Sequence, residues 1–150
     1  MENIMPFLWF DTQAEEAVDF YLSIFQESRK IAVHRCGDAG PGLKGSVLTV
    51  VFELNETQFI ALNGGPKFAF TPAISFVVKC ADQLEIDHYW NALSAGGQTG
   101  NCGWLTDKFG ISWQVVPVNM GEIVDNPKTM QAMMKMTKFD IAALEAAARP

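Results

Sequence analysis

The segment Ile4–Tyr21 has the sequence IMPFLWFDTQAEEAVDFY, in which an apolar run passes directly into a helical pattern. Ile4–Phe10 is rich in aromatic and branched side chains, which predicts a buried strand. After the break at Asp11, apolar residues recur at helical spacing, and this predicts an amphipathic helix. Thr12 and Glu15 form a capping-box pattern that is typical of a helix start.

The same arrangement returns later in the chain. Ala73–Val78 predicts a second strand, and Asp82 with Glu85 forms a second capping box before a helix that extends to about Ser94. A shift of 69 residues sets Phe7 on Phe76 and Phe20-Tyr21 on Tyr89-Trp90. Because both the spacing and the order of elements agree, we interpret the chain as two similar halves.

Strand and turn patterns follow each predicted helix. Lys30–Arg35 predicts a strand, and the glycine-rich segment Cys36–Gly45 predicts a mobile loop that could cover a pocket. The predicted hairpins pair Gly45–Leu54 with Gln58–Asn63 and Cys102–Thr106 with Ser112–Val118. The sequence therefore predicts an α+β fold in which each half has the order strand, helix and further strands.

The domain organisation follows from this repeat. Residues 1–120 are expected to form one domain, with a first module at about 3–66 and a second at about 71–118. The tail differs, since Lys128–Ala148 is rich in Met, Ala, Lys and Leu, and Asn126-Pro127 is typical of a helix start. Residues 121–150 are therefore predicted to form a C-terminal extension of one or two helices.

Composition excludes several classes of partner. The net charge of -6 and the absence of a basic run argue against nucleic-acid binding, and no apolar stretch is long enough to predict a membrane span. Met1-Glu2-Asn3 does not resemble the start of a signal peptide, so a cytoplasmic location is expected. Cys36, Cys80 and Cys102 are widely spaced, which favours reduced thiols over a disulfide or a zinc site.

Three segments carry a family resemblance. The pattern DxxAEEAxxFY at 11–21, the segment Cys102–Gln114 (CGWLTDKFGISWQ) and the helix Asp82–Leu93 resemble the PhnB-like branch of the vicinal oxygen chelate superfamily. That superfamily includes glyoxalase I, bleomycin-resistance proteins and extradiol dioxygenases. The resemblance covers about residues 3–118 and implies paired βαβββ modules, a curved mixed sheet with a pocket on its concave side, and a homodimer.

Sequences of this kind are often labelled 3-demethylubiquinone-9 3-methyltransferase. The common fold of S-adenosylmethionine enzymes needs a glycine-rich turn after a parallel strand, where the backbone approaches the cofactor. No G-x-G-x-x-G follows a predicted strand here. Methyl transfer is therefore not expected, and neither is this cofactor.

The resemblance also locates the positions at which metalloenzymes of the superfamily hold a divalent ion with His and Glu. In this chain they fall, to within one residue, on Ile4, Ala61, Ala73 and Val116. A shift along the strand would offer only Asn63 or Gln114, which are weak neutral donors. Since none of these is a usual ligand of Zn, Fe or Ni, we expect no metal and no other cofactor.

A small-molecule pocket is expected near the connector between the modules, where aromatic and polar residues cluster. Its candidate residues are Asn63, Phe68, Phe70, Ser75, Cys102, Trp104 and Gln114. Strand alternation would place Cys102 on the same face as Trp104, where Cys102 is either a packed thiol or a nucleophile.

Three functions remain open on these grounds. The first is a metal-independent, homodimeric protein that binds a small molecule. The second is a metal-dependent or cysteine-assisted lyase, dioxygenase or isomerase of the superfamily. The third is a structural or regulatory dimer that uses the Met-rich tail as a binding face. Metal content with and without chelator separates the first two, and the mass of a chain shortened after Met120 tests the third.

Overall fold

The computed structural model of the protein describes residues 3–150. The chain divides into two compact units, of which the first ends at Phe70 and the second begins at Thr71. Each unit contains a four-stranded mixed sheet, and in each the elements begin in the order βαβββ. The prediction of an α+β fold built from two such modules is therefore confirmed.

The first unit contains one helix and four strands. These are β1 (Phe7–Phe10), α1 (Ala14–Ile24), β2 (Ser28–Arg35), β3 (Val47–Leu54) and β4 (Thr57–Asn63). The sheet order is β1-β4-β3-β2, with β1 parallel to β4 and the other pairs antiparallel. The predicted strand at Ile4 begins three residues later, at Phe7, after Pro6, which has no N–H for the strand ladder.

The core of the first unit lies between α1 and one face of the sheet. Tyr21 of α1 stacks on Phe52 of β3, and Phe52 stacks in turn on Phe59 of β4, with ring centroids 6.3 and 5.2 Å apart. Successive side chains of each strand point alternately to this face and to the opposite one, which is here called the open face. It carries Phe7 paired with Ile60, and Trp9 paired with Leu62.

Of two local predictions for the first unit, the structure confirms one and contradicts the other. The predicted hairpin is confirmed, because Asn55 and Glu56 join β3 to β4 with φ angles of 46° and 72°, as a tight two-residue turn requires. The predicted capping box at Thr12 is wrong. The helix begins at Ala14 after Gln13, no local side chain caps it, and the side chain of Asn63 accepts the N–H of Ala14 instead.

The second unit repeats the pattern. It contains β5 (Ser75–Cys80), α2 (Gln83–Ser94), β6 (Gln98–Thr99), β7 (Trp104–Thr106) and β8 (Ser112–Pro117), in the sheet order β5-β8-β7-β6. Here the predicted capping pair is confirmed: Asp82 accepts the N–H of Glu85 at 2.9 Å, and Glu85 accepts the N–H of Ala81 at 2.8 Å. The short strand β6 was not predicted, and β5 begins two residues after the predicted Ala73.

Three short helices complete the second unit, where one or two were predicted. They are α3 (Met120–Asp125), α4 (Pro127–Met133) and α5 (Ile141–Ala148). Asn126 caps α4 as predicted by accepting the N–H of Lys128, and Pro127 occupies its first turn. The division into a domain of residues 1–120 and an extension stays a prediction. None of the helices within residues 3–150 is long and apolar enough to span a bilayer.

Candidate functional site

A cavity of about 670 Å³ lies in the first unit, where β1 and β4 end and α1 begins. This first-unit cavity has an apolar wall formed by Trp9, Leu43, Val47, Leu48 and Leu62. The polar side chains of its lining, here together called the polar edge, are those of Asp11, Thr12, Glu15, Ser46 and Asn63. The volume and the mixture of apolar walls with a few polar groups are typical of a small-molecule site.

The indole of Trp9 is held in place from three sides. Its Nε1 donates a hydrogen bond to the carbonyl of Gly65 at 2.9 Å. The ring lies against the backbone of Gly64, where an added Cβ would come within 2.4 Å of the ring atom Cε2. Phe68 meets the indole edge-on, with ring centroids 4.9 Å apart. These three contacts fix the indole of Trp9 in the wall of the cavity without a bound ligand.

Asn63 connects three elements beside the cavity. Its Oδ1 accepts the N–H of Ala14 at 2.8 Å, and its Nδ2 donates to the carbonyl of Val47 at 3.0 Å. The end of β4, the start of α1 and the start of β3 are thereby tied together. Each polar atom of the amide makes one hydrogen bond within the protein, so Asn63 shapes the cavity and keeps one N–H and one lone pair for other partners.

The glycine-rich segment predicted as a cover borders the same cavity. Cys36 closes the loop at its base, because its N–H donates to Ser46 and its carbonyl accepts from Gly45, each at 2.8 Å. The Cys36 side chain is buried in the cavity wall, whereas Leu43 is 84% exposed at the cavity margin. Sequence reasoning identified the loop but missed Leu43 and Leu48, whose placement depends on the path of the loop.

Of the seven predicted pocket residues, Asn63 lines the first-unit cavity and the other six do not. Phe68 packs on Trp9 of the cavity wall, and Phe70 packs on Phe10 with ring centroids 5.1 Å apart. Both aromatic residues therefore buttress β1 in the first unit.

Three predicted residues of the second unit lie together on one face of its sheet. Gln114 of β8 donates to the hydroxyl of Ser75 on β5 at 2.9 Å, and Trp104 of β7 pairs with Gln114 in the register. Each of the three is partly exposed. They form a half-open polar and aromatic strip, and its role in binding stays a prediction.

Cys102 does not lie on a strand, so the alternation argument that placed it beside Trp104 is wrong. Its φ angle of 57° belongs to a turn, and its Sγ lies 3.5 Å from the carbonyl oxygen of Met133. The backbone N–H of Cys102 donates to Met136 of the tail instead of to a neighbouring strand.

The family's metal positions carry unsuitable side chains. Ala61 lies on the buried face of the first sheet, because it pairs with Val50 and Leu8. Its neighbours on the open face, Ile60 and Leu62, are apolar. Ile4 and Ala73 precede β1 and β5, and Val116 is buried in β8. The residues at these positions do not fit a divalent ion. Between Asn3 and Pro150, no three side chains of His, Cys, Asp or Glu are grouped to hold a metal.

A second, smaller cavity of about 230 Å³ lies among the tail helices of the second unit. Ile123 and Leu144 form part of its buried wall, and Glu122 and Glu145 lie at its exposed margin. No sequence pattern predicts this cavity, because it depends on how α3, α4 and α5 pack against one another.

The family model described as 3-demethylubiquinone-9 3-methyltransferase matches residues 2–116. Among solved structures, the chain is similar to a PhnB protein from Bacillus cereus. The two share 35% identity over 77% of this chain and 99% of that one, with a TM-score of 0.71. No curated protein sequence matches the chain.

Two more distant structures show the same fold. Protein PA1353 from Pseudomonas aeruginosa is 21% identical over 78% of this chain and 98% of its own, with a TM-score of 0.65. The fosfomycin resistance protein FosX from Mesorhizobium loti is 14% identical over 84% of this chain and 99% of its own, with a TM-score of 0.60. At these identities the likeness concerns the fold alone.

Proposed function

The chain belongs to the PhnB-like family of the glyoxalase/bleomycin resistance superfamily, whose model is described as 3-demethylubiquinone-9 3-methyltransferase, and we propose that it is a metal-independent small-molecule-binding protein. The first-unit cavity is the observation that carries this proposal. Its volume suits a ligand of one or two rings, and its apolar wall supplies the burial that drives binding of such a ligand.

The side chains near the family's metal positions support metal independence. On the open face of the first sheet, Ile60 and Leu62 flank the expected metal position Ala61, and they pair with Phe7 and Trp9. Aromatic and aliphatic side chains do not coordinate divalent ions, but they do bury apolar surface.

The turns after the strands support binding rather than methyl transfer. β1 is followed by Asp11-Thr12-Gln13, and β5 by Ala81-Asp82, neither of which contains glycine. Gly64-Gly65 does follow β4, but Pro66 comes next and no helix begins there. The arrangement that holds S-adenosylmethionine in the common fold needs glycines between a strand and a helix, so the chain's residues do not fit that cofactor.

The test is binding of a neutral apolar fluorescent probe, N-phenyl-1-naphthylamine, to the full chain with and without EDTA. We expect saturable binding at one probe per chain that EDTA does not change. Leu62→Gln should weaken binding at least tenfold, because a polar amide then replaces apolar wall. Ile60→Gln is the matched control, since Ile60 lies on the same strand and face but does not line the cavity.

Two outcomes contradict the proposal. If Leu62→Gln and Ile60→Gln behave alike, the probe binds elsewhere. If EDTA abolishes binding and Zn, Fe, Mn or Ni restores it, the metal-dependent alternative replaces the metal-independent one.

We also propose that the protein is a homodimer. Apolar side chains stay exposed in both units, with Phe7 at 55% and Val77 at 51%, and such surface is often covered by a partner. Sedimentation equilibrium at micromolar concentration should give twice the chain mass of 16.6 kDa. A monomer across that range contradicts the proposal.

The cytoplasm is the compartment proposed for the protein. Cys36, Cys80 and Cys102 are free thiols, and Cys36 and Cys80 are buried, as suits a reducing environment. Fractionation of cells that express the tagged chain tests this location, and recovery outside the cytoplasmic fraction contradicts it.

A further inference from the structure

We infer that the first-unit cavity selects organic cations, in which an ammonium group is attached to an apolar body. This inference rests on the binding function proposed for the same cavity, and it adds the chemical class of the ligand. It follows from two observations. The charged residues that line the cavity are acidic, and the Lys and Arg side chains of the first unit interact with other groups.

The charged side chains that line the cavity are both acidic. Asp11 lies in the turn after β1, and Glu15 lies in the first turn of α1. The hydroxyl-bearing residues Thr12 and Ser46 lie on the same polar edge. An ammonium group at this edge would meet two carboxylates, whereas a ligand carboxylate would meet two like charges.

The Lys and Arg side chains between Asn3 and Phe70 each interact with another group of the protein, and none of them lines the cavity. Three form ion pairs, one donates to a carbonyl, and one lies over an aromatic ring. The pairs are Arg29 with Glu53 at 3.3 Å, Lys30 with Asp19 at 2.8 Å, Lys44 with Asp38 at 3.0 Å, Arg35 with the carbonyl of Gly45 at 3.1 Å, and Lys67 with the ring of Phe68 at 5.4 Å.

Among these Lys and Arg side chains of residues 3–70, Lys30 also approaches a cavity carboxylate. Its Nζ lies 4.0 Å from Glu15 but 2.8 Å from Asp19, so its charge is matched mainly by Asp19. Within residues 3–150, Asp11 forms no ion pair. The charge left at the polar edge is therefore negative.

The start of α1 does not reverse this sign. A helix N-terminus carries about half a positive elementary charge, which is smaller than the charge of two carboxylates. One of its N–H groups, that of Ala14, is already bound by Asn63. The helix start and the two acids together leave a net negative edge that an ammonium group can neutralise.

The apolar wall explains why a cation with a body, rather than a bare metal ion, fits the cavity. The side chains of Trp9, Leu48 and Leu62 do not coordinate metal ions, but they can bury the hydrocarbon body of a bound molecule. Asp11 is exposed, so an ammonium group beside it keeps part of its hydration while the body of the ligand is buried. The apolar and acidic parts of the lining thus match the hydrocarbon body and the ammonium group of an amphipathic amine.

Three ligands of nearly equal shape test the inference on the full chain: 2-naphthylmethylammonium, 2-naphthylmethanol and 2-naphthoate, each measured by calorimetry at pH 7. We expect the cation to bind about fivefold more tightly than the alcohol, and the carboxylate more weakly than both, because a partly exposed charge pair contributes about 1 kcal/mol. Raising the salt concentration should narrow the difference.

Variants assign the preference to the two acids. Asp11→Asn with Glu15→Gln should remove the preference for the cation, so that the cation and the alcohol bind with equal affinity. Glu16→Gln is the matched control, because Glu16 is an exposed neighbour on the same helix that does not line the cavity. If the double variant melts early, Asp11→Asn alone serves, since Asp11 lies outside the helix.

The possible results distinguish failure of the cation preference from failure of the small-molecule binding on which it rests. Equal binding of the three ligands, or a preference for the cation that survives the double variant, overturns the inference and leaves the binding function standing. Failure of all three ligands to bind overturns both.

Discussion

The side-chain oxygen of Asn63 accepts a hydrogen bond from the backbone N–H of Ala14 at 2.8 Å, across 49 residues of chain. Asn63→Ala removes this cap and the bond to Val47, so we expect the free energy of unfolding to fall by about 1–2 kcal/mol. Urea denaturation followed by circular dichroism measures the change. Asn91→Ala, at an exposed position of α2, should be neutral or slightly stabilising. Equal losses in the two variants would contradict the capping role.

This bond also shows where sequence reasoning stops. The capping box of Asp82 and Glu85 was predicted correctly, because its hydrogen bonds span only three and four residues and form whenever the helix forms. At Thr12 the same pattern failed, because a more distant acceptor on β4 reached the helix start instead. Local periodicity therefore predicted the elements, while contacts between elements had to be seen in the structure.

The candidate site illustrates the same limit. The alternation argument for Cys102 assumed a strand, but the backbone N–H groups of Cys102 and Gly103 donate to Met136 and Thr137 of the tail. Such pairing depends on how the tail folds back, and no local pattern indicates it. Asn63 could be identified because it ends a predicted strand, whereas Leu43 occupies its place through the path of a glycine-rich loop.

Gly64 is required by the close approach of Trp9. In Gly64→Ala the new methyl group would lie 2.4 Å from Cε2 of the indole, so the ring must move and the cavity wall must change. We expect a loss of about 1–3 kcal/mol in the free energy of unfolding and weaker probe binding. The matched control is Gly121→Ala on α3, where an added Cβ meets nothing within 4 Å and helix propensity improves. Thermal denaturation compares the two, and a Gly64→Ala protein as stable as Gly121→Ala would refute the requirement.

Asp107 holds the second hairpin together as a buried carboxylate. One oxygen accepts hydrogen bonds from the backbone N–H groups of Phe109 and Ile111, at 2.8 and 3.1 Å. The other oxygen accepts a hydrogen bond from the indole Nε1–H of Trp113 at 2.9 Å. Asp107→Asn replaces one acceptor with a donor, which leaves a buried N–H unpaired. We expect a loss of about 2 kcal/mol or more in the free energy of unfolding.

Chemical denaturation checks this loss, and near-ultraviolet circular dichroism reports the environment of Trp113. Asp38→Asn is the control, because its carboxylate is 86% exposed in an ion pair with Lys44 and should change stability little. If Asp107→Asn behaves like Asp38→Asn, the carboxylate does not organise the hairpin.

The pH dependence of stability should show the buried thiol of Cys80. Burial, followed by the negative charges of Glu85 and Asp82, raises the pKa of this thiol from its ordinary value of 9.0 to about 12. In the unfolded chain the thiol loses its proton near pH 9, whereas in the folded chain it keeps the proton until about pH 12. Between these values the folded state binds more protons, so this contribution to stability is complete below pH 9 and falls as the pH rises.

Comparison of the protein with Cys80→Ala isolates this contribution, because the variant lacks the titrating thiol. Under reducing conditions, urea denaturation at pH 8, 9, 10 and 10.5 should show the advantage of the natural protein shrinking steadily above pH 9. Iodoacetamide at pH 8.5 should also modify Cys80 in urea but not in the folded chain, where the side chain is fully buried. A stability difference that stays constant up to pH 10.5 would show that the thiol titrates alike in both states, and that burial in β5 does not protect its proton.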